Sequence, residues 1–391
     1  MKKNFIALSF LLSAFNINAQ SYQKIHNQAI VVDTHNDILM KSTDNGLMID
    51  SDLRGKTHTD LARWKQGGLD VQLFSVFCDG DKKNPFAYAN RQMDTLDAVV
   101  ARNPDKIVKV ANTRELYKAV KQHKIAAMFG VEGGHMIEDD LNKLDSLYKR
   151  GARYMTLTWN NSTDWASSAF EERFKKDLSH KGLTDFGKQV VKRMNELGMI
   201  VDVSHVGETT FWDAIQTTTK PVVASHSCVY HFNPHQRNLN DEQIKAIAKN
   251  GGVIQLNFYS GFLDSNFMKR KDAFTEKHKK ERDSIMKSGK EYFYADQYLF
   301  DKYKYEVNAM RAPLSLLIEH MEYIIKLVGV DYVGLGSDFD GIESPPQQLD
   351  DVSTYPLITK ALVEKGYSKK DITKILGGNF LRVLKANEKK N

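Results

Sequence analysis

The sequence predicts an α/β fold, a (β/α)8 TIM-type barrel with a helical, charged insertion near the barrel mouth. Eight short apolar runs recur along the 391 residues, at 30–33, 71–77, 126–131, 154–158, 199–203, 222–225, 253–257 and 332–336. Several are continuous stretches of Val, Ile, Leu, Phe and Ala, as strands buried on both faces require. Amphipathic segments such as "LTDFGKQVVKRMNELG" and "APLSLLIEHMEYIIKLVG" lie between them, the first ending on Gly198, where a helix C-cap favours glycine. Strands alternating with helices build parallel βαβ units, and eight strands is the number that closes a barrel. A doubly wound open sheet is the alternative that the same alternation allows. Barrels of this length routinely form one domain, so residues 20–391 are expected to be that domain.

The first 19 residues stand apart from it. "MKKNFIALSFLLSAFNINA" has a basic start, an apolar stretch from Phe5 to Phe15, and small or modest residues before Ala19. This is the pattern of a secretory signal peptide, and the apolar run is shorter than the roughly 20 residues a membrane span needs. Residues 1–19 are therefore expected to be cleaved, leaving a periplasmic or secreted protein with no stable membrane anchor. Cys78 and Cys228 are the only cysteines, so one disulfide is possible and a disulfide framework is not. The formal charge of +6 is spread over 27% charged residues, and no basic stripe points to nucleic acid. Hydrophobic residues make up 41% of the chain, enough for a large core.

One stretch breaks the rhythm. Residues 260–312 are highly charged, rich in Tyr, Phe and Lys, and far longer than an ordinary loop between a strand and its helix. Helices packed against or over the barrel mouth are expected there, with a solvated charged face favoured over a substrate-gating lid.

Five of the apolar runs are followed by residues that core packing does not explain. His35 and Asp37 follow the first, Glu132 the third, His205 the fifth ("IVDVSH"), His226 the sixth ("PVVASH") and Asp338 the eighth ("VGLGSDFDG"). Such groups are costly to desolvate without partners. In a closed parallel barrel the C-terminal strand ends surround one mouth, where active sites lie. His35 and Asp37, two apart in an extended chain, would point the same way. The imidazoles and carboxylates together exceed what one ion with an open position needs; a pair of ions sharing a bridging carboxylate uses them all. A lone histidine at a strand end is more often structural, and Asp338 or Asp340 could cap a helix. Repetition at equivalent places is what favours a metal site. His135, His231 and His235 lack that placement and are read as bystanders, and Asp33 as structural.

The motifs "VDTHNDI", "GVEGGH", "RYMTLTW", "VDVSHVGE", "ASHS" followed by "QRN", "LNFY" and "GSDFDG" together resemble the membrane (renal) dipeptidase family of metallopeptidases. The resemblance runs from about residue 25 to about 384, through "LGGNFLRVL", and the interruption at 260–312 is larger than the family pattern. It implies a (β/α)8 barrel with two zinc ions per chain, a small dipeptide substrate and a homodimer. Carried over by motif, His35 and Asp37 would bind one zinc, His205 and His226 the other, and Glu132 would bridge them. Asp338 would handle protons, Arg237 would hold the substrate's terminal carboxylate with its forked guanidinium, and Tyr259 would line the pocket. The implied reaction is hydrolysis of a dipeptide by a hydroxide that the two metals share and activate.

This sequence departs from the family pattern at Trp159. After "TLT" the family places a histidine that supports the developing oxyanion and the substrate; here Trp159, Asn160 and Asn161 follow. An indole N–H or an Asn amide could donate in its place, or Trp159 could serve only as an aromatic wall. The change keeps a neighbouring substrate class open: N-acyl amino acids, lactams or esters. An inactive exported binding protein is the alternative of a different class, disfavoured by the presence of all five ligand candidates and Asp338.

Overall fold

The structure is a computed structural model that describes residues 22–287 and 292–389. The expected signal peptide at 1–19 lies outside the described residues. Among the described residues nine strands form one parallel sheet: β1 (Val32–Asp33), β2 (Val71–Phe77), β3 (Ile107–Lys109), β4 (Ile125–Glu132), β5 (Ala152–Thr156), β6 (Ile200–Asp202), β7 (Val223–Ser227), β8 (Val253–Leu256) and β9 (Val333–Leu335). The ladder runs β1-β2-β4-β5-β6-β7-β8-β9, with β3 attached to β4 outside this path. Thr34 N donates to Leu335 O at 3.1 Å, Asp338 N to His35 O at 3.1 Å and Asp37 N to Phe339 O at 2.9 Å. These bonds join the last strand to the first, so the sheet is a barrel and the open doubly wound alternative falls. All eight expected strands are present; β3 was not expected, being three residues long.

Side-chain alternation divides the strands into two faces. Leu73 of β2, Met128 of β4, Tyr154 of β5 and Ile200 of β6 share one buried cluster with Val32, Val223 and Val253, joined at one end by Phe380 and Leu384 of the helix Asn379–Asn387. Phe74, Phe129, Met155 and Val201, one residue on, pack outward against the surrounding helices. Two residues further along each inward face the side chains turn polar: Ser75, Glu132 (four on from Met128), Thr156 and Asp202. The barrel interior therefore changes from apolar to polar toward the C-terminal strand ends, where the mouth lies.

Helix signals act as the sequence suggests. Thr184 caps the helix Asp185–Leu197 by accepting from Gly187 N, and Gly198 ends it in the left-handed conformation at φ 84°. Within 260–312 the described helices are Ser260–Leu263, Phe267–Lys277, Lys279–Lys287, Tyr292–Lys302 and Lys304–Met310. Phe267, Phe274, Leu299, Phe300, Val307 and Met310 give them a small core of their own. Lys271 Nζ to Glu343 Oε1 at 2.5 Å and Arg311 Nε to Pro345 O at 2.6 Å fasten them to the loop after β9. Cys78 and Cys228 are both buried and unpaired, so the possible disulfide does not form. Among the described residues no helix is long and apolar enough to cross a membrane.

Candidate metal centre

Glu132, the last residue of β4, stands at the middle of the mouth. Its Oε2 lies 3.1 Å from His35 Nε2, and its Oε1 lies 2.9 Å from His205 Nε2 and 3.4 Å from His226 Nε2. The two carboxylate oxygens thus face two different sets of donors. On the Oε2 side, His35 Nε2 is 3.5 Å from Asp37 Oδ2 and 4.0 Å from Asp338 Oδ1. His35, Asp37 and Asp338 form one compact ligand group, and His35, Glu132 and His226 another, with donor atoms within 4.8 Å of each other. The chain reaches this geometry by turning: Asp37 is not extended but sits at φ −96°, ψ 14° before the helix Ile38–Asn45. Its convergence with His35 comes from that turn, not from strand alternation.

Each imidazole is held from behind. Tyr154 OH donates to Thr34 O at 2.9 Å, so at 2.7 Å it receives the Nδ1 proton of His35. Ser225 Oγ donates to Asp202 Oδ2 at 2.5 Å and so accepts from His226 Nδ1 at 2.8 Å. Asn160 Oδ1, an acceptor only, faces His205 Nδ1 at 3.2 Å. All three histidines are assigned the Nδ1–H tautomer by these partners, which turns the Nε2 lone pairs toward the centre. Tyr154 can reach His35 only because residue 130 is glycine; a Cβ there would run into the phenol ring. Gly341 plays the same part beside Asp37 and Asp338, whose carboxylates a Cβ at that position would strike.

The donor set calls for cations. The Nε2 atoms of His205 and His226 lie 2.9 Å apart, and both are lone-pair donors facing Glu132. Asp37 Oδ1 is buried without a hydrogen-bond partner among the described residues. Burial, then the charge of Arg237, pushes His205 down to about 3, and burial with His35 holds His226 well below the ordinary imidazole value. Both are therefore neutral, as metal ligation requires. Burial alone would raise Glu132, but the charge of His35 beside it holds it well below the usual carboxylate range. Burial would likewise lower His35, yet Tyr154, Glu132 and Asp37 raise it well above its ordinary value. With no cation beside them, these carboxylates favour a proton on His35 Nε2, the atom whose lone pair a metal ion would take instead. These residues fit a metal, and the split of Glu132 fits two.

Around the centre, burial and the neighbouring Asp37 raise Asp338 well above the carboxylate range, and Asn257 Nδ2 donates to its Oδ2 at 2.8 Å. Asp338 and His205 both occupy left-handed backbone, at φ 62° and 63°, a conformation that costs free energy in residues other than glycine. Arg237 is buried; its Nη2 donates to His226 O at 3.2 Å and its Nε has no partner among the described residues. Trp159 packs on Phe77 with ring centroids 4.9 Å apart and faces His205 at 6.3 Å, which makes it a wall of the mouth. Tyr259 donates its hydroxyl to Glu343 Oε1 at 3.0 Å, and its backbone N to Asn257 Oδ1 at 2.6 Å. Asp33 lies outside the centre, taking Ser337 N at 2.9 Å, Ser337 Oγ at 2.7 Å and Tyr355 OH at 2.7 Å. Of the bystanders, His231 stacks on Tyr323, His235 accepts from Arg237 N, and His135 Nε2 meets Cys78 O at 3.0 Å. Sequence reasoning missed Tyr154, Ser225 and Asp202, and it missed that Asn160 turns its carboxamide oxygen to His205.

The comparisons with known proteins point to one family. The sequence profile of the membrane dipeptidase family (peptidase family M19) matches residues 19–391. An uncharacterised dipeptidase of Schizosaccharomyces pombe is 34% identical over 394 aligned positions, covering 94% of this chain and 83% of that protein. The crystal structure of the probable dipeptidase PvdM from Pseudomonas aeruginosa superposes with a TM-score of 0.79 at 24% identity, covering 95% of this chain and 98% of that one. A metallopeptidase from Rhodobacter sphaeroides, solved with a phosphinate mimic of the dipeptide L-Ala-D-Ala, superposes with a TM-score of 0.74 at 22% identity, covering 92% and 100%. A barrel whose strand ends gather three imidazoles and three carboxylates, in a chain matched from residue 19 to its end, belongs to the membrane dipeptidase family, peptidase family M19, and is a metallopeptidase of the dipeptidase type.

Proposed function

We propose that this chain is an exported dipeptidase whose mouth holds two zinc ions, one on His35, Asp37 and Glu132 and one on Glu132, His205 and His226. The observation that carries this reading is Glu132, whose Oε2 faces His35 while its Oε1 faces His205 and His226. A bound ion pair would supply Lewis acidity toward a scissile carbonyl and a shared water acidified to hydroxide near neutral pH.

The remaining work falls to the chain's own groups. Arg237, buried with an unpartnered Nε, offers a planar fork for the terminal carboxylate of a dipeptide and fixes the substrate's register. Asp338, held by Asn257, is placed to take the proton of the attacking water as a carboxylate and, once protonated, pass it to the leaving amine. Phe77 and Trp159 screen one side of the mouth from water, and Trp159 takes the place of the histidine that the family pattern carries. Tyr259, tied to Glu343 and to the Asn257 that holds Asp338, would line the pocket. Anchoring by Arg237 at one end suits two-residue substrates, and the basic and apolar start of residues 1–19 supports export. A homodimer is the assembly this reading expects, testable by sedimentation.

The apolar face of Trp159 favours one second reading, hydrolysis of N-acyl amino acids, whose acyl chain would lie on that wall. Purified mature protein is assayed on a dipeptide panel, including C-terminal D-residues, and on N-acyl amino acids. Dipeptide hydrolysis lost to a chelator and restored by zinc is expected. Activity confined to N-acyl substrates would support the second reading, and chelator-insensitive turnover would overturn both.

A further inference from the structure

The two halves of the centre are built unequally. Near His35 stand Asp37 at 3.5 Å and Asp338 at 4.0 Å, in addition to Glu132. Among the described residues Glu132 is the one carboxylate within 4.0 Å of His205 Nε2 or His226 Nε2. A cation stands on that side instead. Arg237 is buried against His226, donates to its carbonyl at 3.2 Å, pairs with no carboxylate among the described residues, and leaves Nε without a partner.

The support behind the rings differs as well. His35 and His226 have Nδ1 contacts of 2.7 and 2.8 Å to the wholly buried Tyr154 and Ser225. His205 has a contact of 3.2 Å to Asn160, which is partly exposed, and sits on left-handed backbone at φ 63°. Loss of support behind a ligand typically costs about 10–100-fold in metal affinity.

We propose that the half-site of His205 and His226 is the weaker of the two, that the unpaired charge of Arg237 weakens it, and that a carboxylate seated on Arg237 and an ion in this half-site strengthen each other. The inference rests on the two-ion dipeptidase reading. Its physics is simple: a buried guanidinium repels a dication, little water screens the pair, and an anion on the guanidinium removes the repulsion. Linkage makes the effect reciprocal, so whatever factor the carboxylate confers on the ion, the ion confers on the carboxylate. Couplings of this kind typically run from about 5- to 150-fold. The substrate would thereby help to complete the centre that cleaves it.

Metal-free protein is titrated with Co2+, followed by visible absorption and calorimetry, with and without propionate, a carboxylate that carries no second donor. Two affinities are expected, the weaker one abolished in His205→Ala. Propionate should strengthen the weaker phase about tenfold, within the usual range of coupling. Arg237→Met should strengthen it to a similar degree and remove the response to propionate, whereas Arg237→Lys should keep the weak phase. Equal affinities in the wild type, or a weak phase that propionate leaves unmoved, would overturn the proposal without recourse to any variant. A weak phase unmoved or weakened in folded Arg237→Met would also overturn it. Binding of one ion, or of none, would instead overturn the two-ion reading beneath it.

Discussion

Two belts of buried polar groups lie one above the other in this barrel, and they are finished differently. In the lower belt, Asp33 takes two donors from Ser337, one from Tyr355 and one from His35 N, and Asp202 takes Ser204 N, Ser225 N, Ser225 Oγ and Thr156 Oγ1. In the upper belt, Asp37 Oδ1 and Arg237 Nε have no partner, and two imidazole nitrogens face each other at 2.9 Å. Asp33 and Asp37 are four residues apart and both buried, yet one is fully bonded and the other is not. Saturated polar groups fix strands to each other; unsaturated ones are kept for what the mouth will bind.

If that division holds, substitutions in the upper belt change chemistry and those in the lower belt change stability. Asp338→Asn should lower kcat by about 10²–10⁴, the usual range for a lost proton-transfer group, with bound metal and thermal midpoint kept. An unchanged kcat would remove Asp338 from the reaction. Asp33→Ala should do the reverse. It strands buried donors at about 1–3 kcal/mol each, so urea unfolding should shift to lower concentration while metal binding per folded molecule stays intact. A wild-type unfolding curve would break the comparison.

Tyr154 joins the belts, since its ring lies in the apolar layer and its hydroxyl holds His35. Tyr154→Phe should weaken metal binding about 10–100-fold, measured by competition with a chelator, and lower stability by about 1–3 kcal/mol, since it strands the buried His35 Nδ1–H and Thr34 O. The smallest effect is set by pH. Burial chiefly depresses His58 and His320 to about 4, whereas in the unfolded chain they titrate near 6.5. The unfolded state then binds more protons between these values, so stability is full above about 6.5 and is lost as pH falls toward 4. His320→Gln should flatten part of that fall in the thermal midpoint, and an identical pH profile would show that His320 does not contribute.

Much of this was legible in the sequence because strand patterning and the barrel mouth are local and topological facts. An apolar run ending in histidine or carboxylate says where the strand stops and where its last side chain goes. Glu132 and His226 lie on β4 and β7, as that pattern expects, while His35, His205 and Asp338 lie two or three residues past their strands, close enough for the pattern to find them. The supporting residues did not. Tyr154 reads as an ordinary strand aromatic, and only the space left by Gly130, on a different strand, shows that its hydroxyl reaches His35. Ser225 and Asp202 read as turn and strand-end polar residues, because their meaning depends on a register between β6 and β7. Strand β3 escaped notice because three residues carry too little periodicity, and Asp37 reached the centre through a turn that strand geometry does not describe.

The central claim is that one carboxylate, Glu132, holds two ions at once. Elemental analysis of the mature protein, purified without chelator, and of its Glu132→Ala variant tests this most directly. Two equivalents of metal per wild-type chain and fewer than one in the folded variant are expected. One equivalent in the wild type, or two retained without Glu132, would contradict it.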